Sequence, residues 1–338
     1  MSDNRMGKKD NIRPGLVSII TPAYNAAPFL EETIFSVLAQ TYRKWEWLIV
    51  DDGSSDDTVC IVEAAAQKDF RIRFISAGGE TGLAARARNR AMQNADGEFF
   101  AFLDADDLWE SKKLICQVSY LRENPEADGV CCRHDIFGDK ARVRRENKMK
   151  NYKLDTKPVC HRSDFIKELP FQTSTVLMRR HCYDRIGGMD EDPRLRSGQD
   201  VEFFARLVAS CKIHRITKIL AHYRLTPLKN SLNLRNLNDK NRAAWNVFEV
   251  MLEKGFFTFA EARRKRASLY YDQAINNLFY LNAAFRIYLL KSILSGFPPL
   301  RAVIAFSLCF LNKTHLKRAL TWILSVANRH YLRGEKRS

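Results

Sequence analysis

Three carboxylates crowd into four positions, Asp104, Asp106 and Asp107, directly after the apolar run Phe99-Phe100-Ala101-Phe102-Leu103. Held about 4 Å apart, two carboxylates repel by roughly 4 kcal/mol at an effective dielectric near 20, so the cluster calls for a compensating charge. A divalent cation supplies one: Mg²⁺ and similar hard ions take oxygens from one or two carboxylates and complete their shell with water and substrate phosphate. If the strand pattern runs on through the carboxylates, Asp104 and Asp106 point to one side and Asp107 to the other, and the first two share the ion. A purely local reading competes, in which Asp106 or Asp107 caps a helix starting near Ser111 and Asp104 closes a turn. Asp200 poses the same choice. It opens the helical pattern of residues 201–209, where a carboxylate serves either as an N-cap or as a general base.

Around these carboxylates the sequence alternates between strand and helix. Residues 16–20 read as a strand that breaks at Pro22, which cannot continue a central ladder. Phe29, Leu30, Ile34, Val37 and Leu38 give residues 28–40 a helical spacing; a strand at 45–50, a helix capped by Ser55 or Asp56, a strand at 71–76 and a helix at 82–91 follow. The apolar run itself is the fourth strand. Such alternation predicts βαβ units and an α/β fold with a mainly parallel sheet flanked by helices. Ligands of these sheets bind beyond the carboxyl ends of the strands, and here those ends carry Pro22 with Tyr24, Asp51 with Asp52, and Asp104 with Asp106. Farther on, strands are expected at 128–135 and 173–179, a mobile charged loop near the site at 142–153, and helices at 182–186 and 201–209.

Composition sets the outer bounds. A chain of 338 residues suffices for one large domain or two smaller ones, and 46% hydrophobic content excludes general disorder. The net charge of +16 is lopsided, because residues 229–338 carry 19 Lys and Arg against 6 Asp and Glu. Eight cysteines show no C-x-x-C pair and no framework spacing, which predicts reduced, partly buried thiols in a cytoplasmic protein. The adjacent pairs Cys160-His161 and His181-Cys182 lack the spacing of a zinc module. Residues 1–15 are polar and contain no secretory h-region. The longest apolar run, 302–311, is about half of the roughly 20 residues that cross a bilayer. No G-x-x-x-x-G-K-S/T or G-x-G-x-x-G follows a strand, which disfavours an ordinary NTPase or dehydrogenase.

Taken together, the succession Val17-Ser18-Ile19-Ile20-Thr21-Pro22-Ala23-Tyr24-Asn25, Ile49-Val50-Asp51-Asp52-Gly53-Ser54-Ser55-Asp56-Asp57-Thr58, Gly82 with Ala87-Arg88-Asn89, and Phe102-Leu103-Asp104-Ala105-Asp106-Asp107-Leu108-Trp109 closely resembles the family 2 glycosyltransferases. Ile186-Gly187-Gly188-Met189-Asp190-Glu191 and Gln199-Asp200-Val201-Glu202-Phe203-Phe204-Ala205-Arg206-Leu207 fit the same pattern, so the likeness spans roughly residues 15–225. It implies a GT-A fold, a nucleotide-sugar donor that is usually UDP-linked, a divalent metal (Mn or Mg) and inversion at the anomeric carbon. By position, Pro22 and Tyr24 would border the base and ribose, Asp52 would hydrogen-bond the base, and Arg88 would belong to the nucleotide-sugar site. Asp106 would be the direct metal ligand, with Asp104 nearer the ribose or a metal-bound water. Asp200 falls where the family's catalytic base lies. Many members have Glu-Asp there; this chain has Gln199-Asp200. The resemblance also implies a hydroxyl acceptor on a saccharide or lipid-linked saccharide, in bacterial surface polysaccharide or glycolipid assembly. A relative of the same fold that binds the donor without turnover is the alternative, and the retained Asp-x-Asp element and Asp200 argue against it.

Three segments are therefore expected: a polar tail at 1–14, a GT-A domain at 15–226 and a helical basic extension at 227–338. In the extension Trp245, Phe248, Met251 and Leu252 form one stripe, and Arg263-Arg264-Lys265-Arg266 is a compact basic run. Beyond Pro298-Pro299, the residues Leu316, Leu320, Ile323, Leu324, Ala327 and Tyr331 share a helical face. A basic amphipathic helix of this kind either lies on an anionic membrane or packs its apolar face on its own protein. Lipid-linked acceptors in the family tilt the expectation toward peripheral contact with the inner face of the cytoplasmic membrane. Nucleic acid is not expected as a partner, since no helix-turn-helix, zinc module or stacking platform accompanies the charge.

Overall fold

The computed structural model describes residues 12–78, 82–149, 158–163, 171–226 and 237–279. The chain divides into two units, Met1–Arg235 and Asn236–Ser338. In the first, strand β1 (Arg13–Ala23) leads through helix α1 (Ala27–Leu38) to β2 (Trp45–Asp51), through α2 (Thr58–Lys68) to β3 (Ile72–Ser76), and through α3 (Ala84–Asn94) to β4 (Gly97–Phe102). These four strands are parallel in the order β3-β2-β1-β4. Crossovers through helices bury both faces of the sheet, so the strands read as apolar runs without alternation. All seven residues of β2 are buried.

The expected break at Pro22 does not occur. Strand β1 continues to Ala23, with Pro22 in register with Val50 of β2. On its other side the pairing with β4 stops at Ile20 opposite Phe102, so by Pro22 β1 has become an edge, where a missing N–H costs no ladder bond.

The second half of the unit contains β5 (Leu108–Trp109), α4 (Lys113–Glu123), β6 (Gly129–Gly138), α5 (Lys140–Met149), β7 (Val159–Cys160), β8 (Val176–Arg179), α6 (Arg180–Ile186), α7 (Gln199–Ser210) and β9 (Ile213–Leu225). Among the described residues the sheet has nine strands in the order β3-β2-β1-β4-β8-β6-β9-β5, with β7 paired to β9. Strand β8 runs antiparallel to both β4 and β6, while β6 and β9 are parallel. It is the seam between a parallel half and a mixed half. The core on one face gathers Val17, Ile19, Leu30, Val37, Trp47, Phe99, Leu114 and Val118. On the other, Phe102 meets Phe203 and Phe204 of α7 edge-on, at centroid distances of 5.8 and 5.6 Å.

The segment expected as a loop at 142–153 is helical through Met149, and residues 150–157 lie outside the described residues. Asp139 starts α5 by accepting from Arg142 N–H at 2.8 Å. Its Lys, Arg, Ala and Glu are good helix formers, but they carry no apolar stripe for a periodicity argument to find. Seven cysteines are described and all are thiols; Cys309 lies outside the described residues.

In the second unit α8 (Leu237–Glu253) and α9 (Phe259–Phe279) form a helical pair. Phe248 and Met251 of the expected stripe are buried, and Trp245 packs on Tyr270 at 4.8 Å between ring centroids. A capping box opens α9: Thr258 N–H donates to Glu261 Oε2 at 2.9 Å, and Glu261 N–H donates to Thr258 Oγ1 at 3.3 Å. Pro298-Pro299, the apolar run at 302–311 and the helical face from Leu316 to Tyr331 lie outside the described residues.

Candidate active site

Three parallel strand ends build one side of the site. After β1 come Tyr24 and Asn25; at the end of β2, Asp51 and then Asp52; after β4, the loop Leu103 to Asp107. Asp51 closes its own turn, its Oδ2 accepting from Gly53 N–H at 3.0 Å and Ser54 N–H at 3.2 Å. Buried Asp52 donates its N–H to Ala23 O at 2.9 Å, tying its loop to the end of β1. Asn25 strengthens the tie by accepting from Ser55 N–H at 2.9 Å. Pro22 and Tyr24 are half-buried along this edge.

Strand alternation does not govern the aspartate loop, because β4 ends at Phe102. A turn takes over, closed by Asp107 N–H donating to Asp104 O at 3.1 Å. Neither Asp106 nor Asp107 caps a helix: α4 begins at Lys113, with β5 intervening. Asp107 is buried, with Oδ2 accepting from Ser174 Oγ at 2.6 Å and Oδ1 from Arg224 N–H at 2.9 Å. Asp104 and Asp106 are half-buried. Arg88, buried on α3, donates from Nη2 to Asp104 Oδ1 at 2.5 Å. From β9, Arg224 donates Nε–H to Asp106 O at 2.7 Å and Nη2–H to Glu32 at 2.8 Å, and its guanidinium stands 4.4 Å from the Phe137 ring centroid.

The loop carries unbalanced negative charge. Burial, then the neighbouring Asp104, push the Asp106 carboxyl up to about 6, with Arg224 and Arg88 offsetting only part of this. Asp107 is driven well above the usual carboxylate range by burial and by the other two aspartates. A hard divalent cation relieves this imbalance, and Asp104 and Asp106 offer the oxygen donors it takes. Arg88 points the same way: its buried Nε–H has no partner among the described residues. Buried polar atoms are nearly always satisfied, and a phosphate oxygen would satisfy this one.

Opposite stands Asp200. The N-cap of α7 is Gly198, at φ 118°, so Asp200 lies in the first turn and the plain N-cap reading does not hold. Its Oδ1 accepts from Val201 N–H at 2.9 Å and its Oδ2 from Thr173 Oγ1 at 3.2 Å. Gln199 is buried. With its amide assigned the orientation that gives every atom a partner, the nitrogen donates to Leu195 O at 2.7 Å and Arg196 O at 3.1 Å, while the oxygen accepts from Arg88 Nη1 at 3.2 Å. Arg88 thus joins the aspartate loop to the start of α7. The Gly188 loop is held from α3 as well, Asn89 accepting from Met189 N–H at 2.7 Å and donating to Met189 O at 2.8 Å. A Cβ at Gly188 would fall 2.6 Å from Asn89 Oδ1, which accounts for the glycine.

Of the residues singled out by sequence, Arg88 pairs directly with Asp104, Asp200 is tied to the aspartate turn through Thr173 and Ser174, and Asp106 is held by its backbone carbonyl on Arg224. Pro22, Tyr24 and Asp52 occupy the adjoining strand ends. Thr173, Ser174 and Arg224 were not anticipated. Only the hydroxyl run Thr173-Ser174-Thr175 ahead of an apolar strand hinted at buried polar work.

A second cluster lies at the opposite end of the seam strand, where the ligand atoms of Asp128, His181 and Cys182 come within 4.8 Å of one another. Its groups are already engaged. Asp128 Oδ1 pairs with His181 Nε2 at 2.7 Å, Oδ2 accepts from Lys212 N–H at 2.7 Å, and Cys182 Sγ donates to Asp128 O at 3.3 Å. With Arg185 4.0 Å from Asp128, the cluster ties together the start of β6, the start of α6 and the turn before β9.

The family model for glycosyl transferase family 2 matches residues 18–187, half of the chain. The chain belongs to this family. This family 2 glycosyltransferase is 30% identical over 239 residues to the putative teichuronic acid biosynthesis glycosyltransferase TuaG of Bacillus subtilis, covering 70% of this chain and 88% of TuaG. It is 46% identical over 109 residues, 32% of this chain and 42% of the relative, to the UDP-Glc:alpha-D-GlcNAc-diphosphoundecaprenol beta-1,3-glucosyltransferase WfgD of Escherichia coli. Among solved structures, S. aureus TarS 1–349 in complex with UDP-GlcNAc superposes with a TM-score of 0.54 at 16% identity, covering 82% of this chain and 88% of that 1–349 chain. Mannosyltransferase PcManGT of Pyrobaculum calidifontis, with GDP-Man and Mn²⁺, gives 0.53 at 21% identity over 91% of this chain and 84% of its own. The glycosyltransferase therefore has the GT-A fold, as its sequence led one to expect.

Proposed function

We propose that the protein transfers a sugar from a nucleotide-sugar, with UDP as the favoured carrier, to a hydroxyl of a saccharide or lipid-linked saccharide, with inversion at the anomeric carbon. The observation that carries this is the network joining the charged Asp104–Asp107 turn, through Arg88 and through Thr173 and Ser174, to a separate carboxylate at Asp200. The aspartate turn would hold the cation that meets the donor's phosphates, and the separate carboxylate handles the acceptor. TuaG, WfgD and the UDP-GlcNAc complex of TarS support the UDP-sugar and a place in cell-surface polysaccharide assembly.

Asp106, with Asp104 beside it, would hold Mn²⁺ or Mg²⁺, which neutralises the diphosphate that departs with the nucleotide. Arg88 fixes Asp104 and presents its unpaired Nε–H to the diphosphate. Pro22 and Tyr24 border the nucleoside, and Asp52 hydrogen-bonds its base. Asp200 takes the proton from the attacking hydroxyl as the new bond forms on the face opposite the leaving group. In the second unit Phe259 is 87% exposed beside the basic run Arg263-Arg264-Lys265-Arg266, which suits peripheral contact with an anionic membrane at its cytoplasmic face. No described helix is long and apolar enough to cross a membrane.

Calorimetry with UDP, GDP and CMP, with and without Mn²⁺, tests the reading. UDP should bind to wild type only with the metal and should not bind to Asp106→Ala. Asp200→Asn should keep that affinity while losing transfer. Absence of nucleotide binding under every condition would overturn the donor site, and undiminished transfer by Asp200→Asn would remove that residue from its role.

A further inference from the structure

We infer that Thr173 is a positioning residue for Asp200, and that the Thr173-Ser174 pair locks the base carboxylate to the aspartate turn. This rests on the transferase reading above and adds to it the group that aims the base.

The pair sits on a single 3₁₀ turn, Thr173–Thr175, just ahead of β8. All three residues are buried, and burying a hydroxyl costs free energy unless it is hydrogen-bonded. Each hydroxyl is used, in a different direction. Thr173 Oγ1 donates to Asp200 Oδ2 at 3.2 Å. Ser174 Oγ donates to Asp107 Oδ2 at 2.6 Å and accepts from Asp104 N–H at 3.1 Å. Thr175 Oγ1 turns back to Gln172 O at 2.6 Å. The turn has little freedom to shift, because Trp109 Nε1–H donates to Ser174 O at 2.7 Å and Gln117 Nε2–H donates to Thr175 O at 2.9 Å.

Asp200 is half-exposed, so water could solvate Oδ2 in place of Thr173. The hydroxyl's contribution is therefore orientation. With Oδ1 held by Val201 N–H and Oδ2 by Thr173, the carboxylate plane is fixed at two points. Each oxygen keeps a second lone pair with which to receive the acceptor's proton. Ser174, next in the chain, fixes the distance from that plane to the turn that holds the donor.

The test uses the full chain with Mn²⁺ and measures UDP affinity by calorimetry and UDP release from UDP-glucose and UDP-GlcNAc by steady-state kinetics. Thr173→Val keeps the shape and removes the donor. It should lower kcat about tenfold, the effect of one lost hydrogen bond to a charged group, at unchanged UDP affinity and unchanged KM. Thr173→Ser, which restores the hydroxyl, should recover most of the loss. Ser174→Ala should instead weaken Mn²⁺-dependent UDP binding. Equal rates for Thr173→Val and wild type would overturn the inference. So would a Thr173→Ser variant as slow as Thr173→Val, or a loss of UDP affinity in Thr173→Val. A wild type that neither binds nor releases UDP would overturn the underlying reading, and the inference with it.

Discussion

Gln199 shows how one atom's change can be absorbed by its surroundings. Its amide donates to two backbone carbonyls, Leu195 O and Arg196 O, and its oxygen accepts from Arg88. A carboxylate there would face both carbonyls with no proton to offer, and would draw Arg88 away from Asp104. Gln199→Glu should therefore weaken Mn²⁺-dependent UDP binding about tenfold, as losing one hydrogen bond to a charged group would, and lower the melting temperature. Calorimetry and a thermal melt check the two effects, and a variant as tight and stable as wild type would contradict this account. At this scale the sequence is legible where spacing is unusual: Asp104 and Asp106 stand out as carboxylates whose grouping asks for a reason, whereas Asp200 reads locally as an ordinary helix cap and is singled out only by the family resemblance. Thr173, Ser174 and Arg224 were illegible because nothing about an isolated hydroxyl or guanidinium reveals its partner. Ser174 meets Asp107 across 67 positions and Arg224 meets Asp106 across 118.

Among the elements, α4 carries a stability switch unrelated to the reaction. Lys113 is fully buried; its ammonium donates to Gln117 Oε1 at 2.7 Å and stands 4.0 Å from the Trp109 ring centroid, and no carboxylate pairs with it among the described ion pairs. Burial lowers its pKa to about 8. The unfolded chain binds this proton up to a lysine's ordinary value near 10.4, so between about 8 and 10.4 unfolding takes up a proton and stability rises with pH. Below pH 8 the deficit is full, on the order of 3 kcal/mol. Lys113→Met should recover part of it at pH 7, the remainder offset by the orphaned Gln117 Oε1. Denaturant melts at pH 7 and pH 10 should show wild-type stability approaching that of the variant as pH rises; a constant difference would refute the assignment. The parallel strands and helices of the first half were readable because each is apolar at its own period. The strand expected at 173–179 starts only at Val176, because Thr173–Thr175 form a 3₁₀ turn, and helix α5 is hard to read because it has no apolar face. Pro22 misled for a definite reason: a sequence does not disclose on which side a strand has lost its neighbour.

For the molecule as a whole, charge is the coarsest feature and the easiest to test. With 19 basic against 6 acidic residues at 229–338, attraction to anionic headgroups at about 1 kcal/mol per cation near the surface should make the full chain co-sediment with phosphatidylglycerol vesicles at low salt. It should not sediment with phosphatidylcholine alone, and 1 M salt, where the Debye length is about 3 Å, should release it. Equal recovery on both vesicle types would dismiss the membrane contact. The fold class followed from strand and helix alternation, whereas the donor sugar and acceptor did not, because those choices reside in shape around the strand ends rather than in any motif.

The seam at β8 also has a consequence for how the protein is made. Strands β1 to β4 can pair as soon as Phe102 has left the ribosome, yet the far side of β4 stays bare until β8, ending at Arg179, is translated. At roughly 5–20 residues per second that interval lasts about 4–15 s. Throughout it, an edge bearing Phe99, Phe100 and Phe102 is open to any other nascent strand. Codon choice between positions 103 and 179, or a chaperone that shelters this edge, would then govern how much of the newly made chain escapes aggregation.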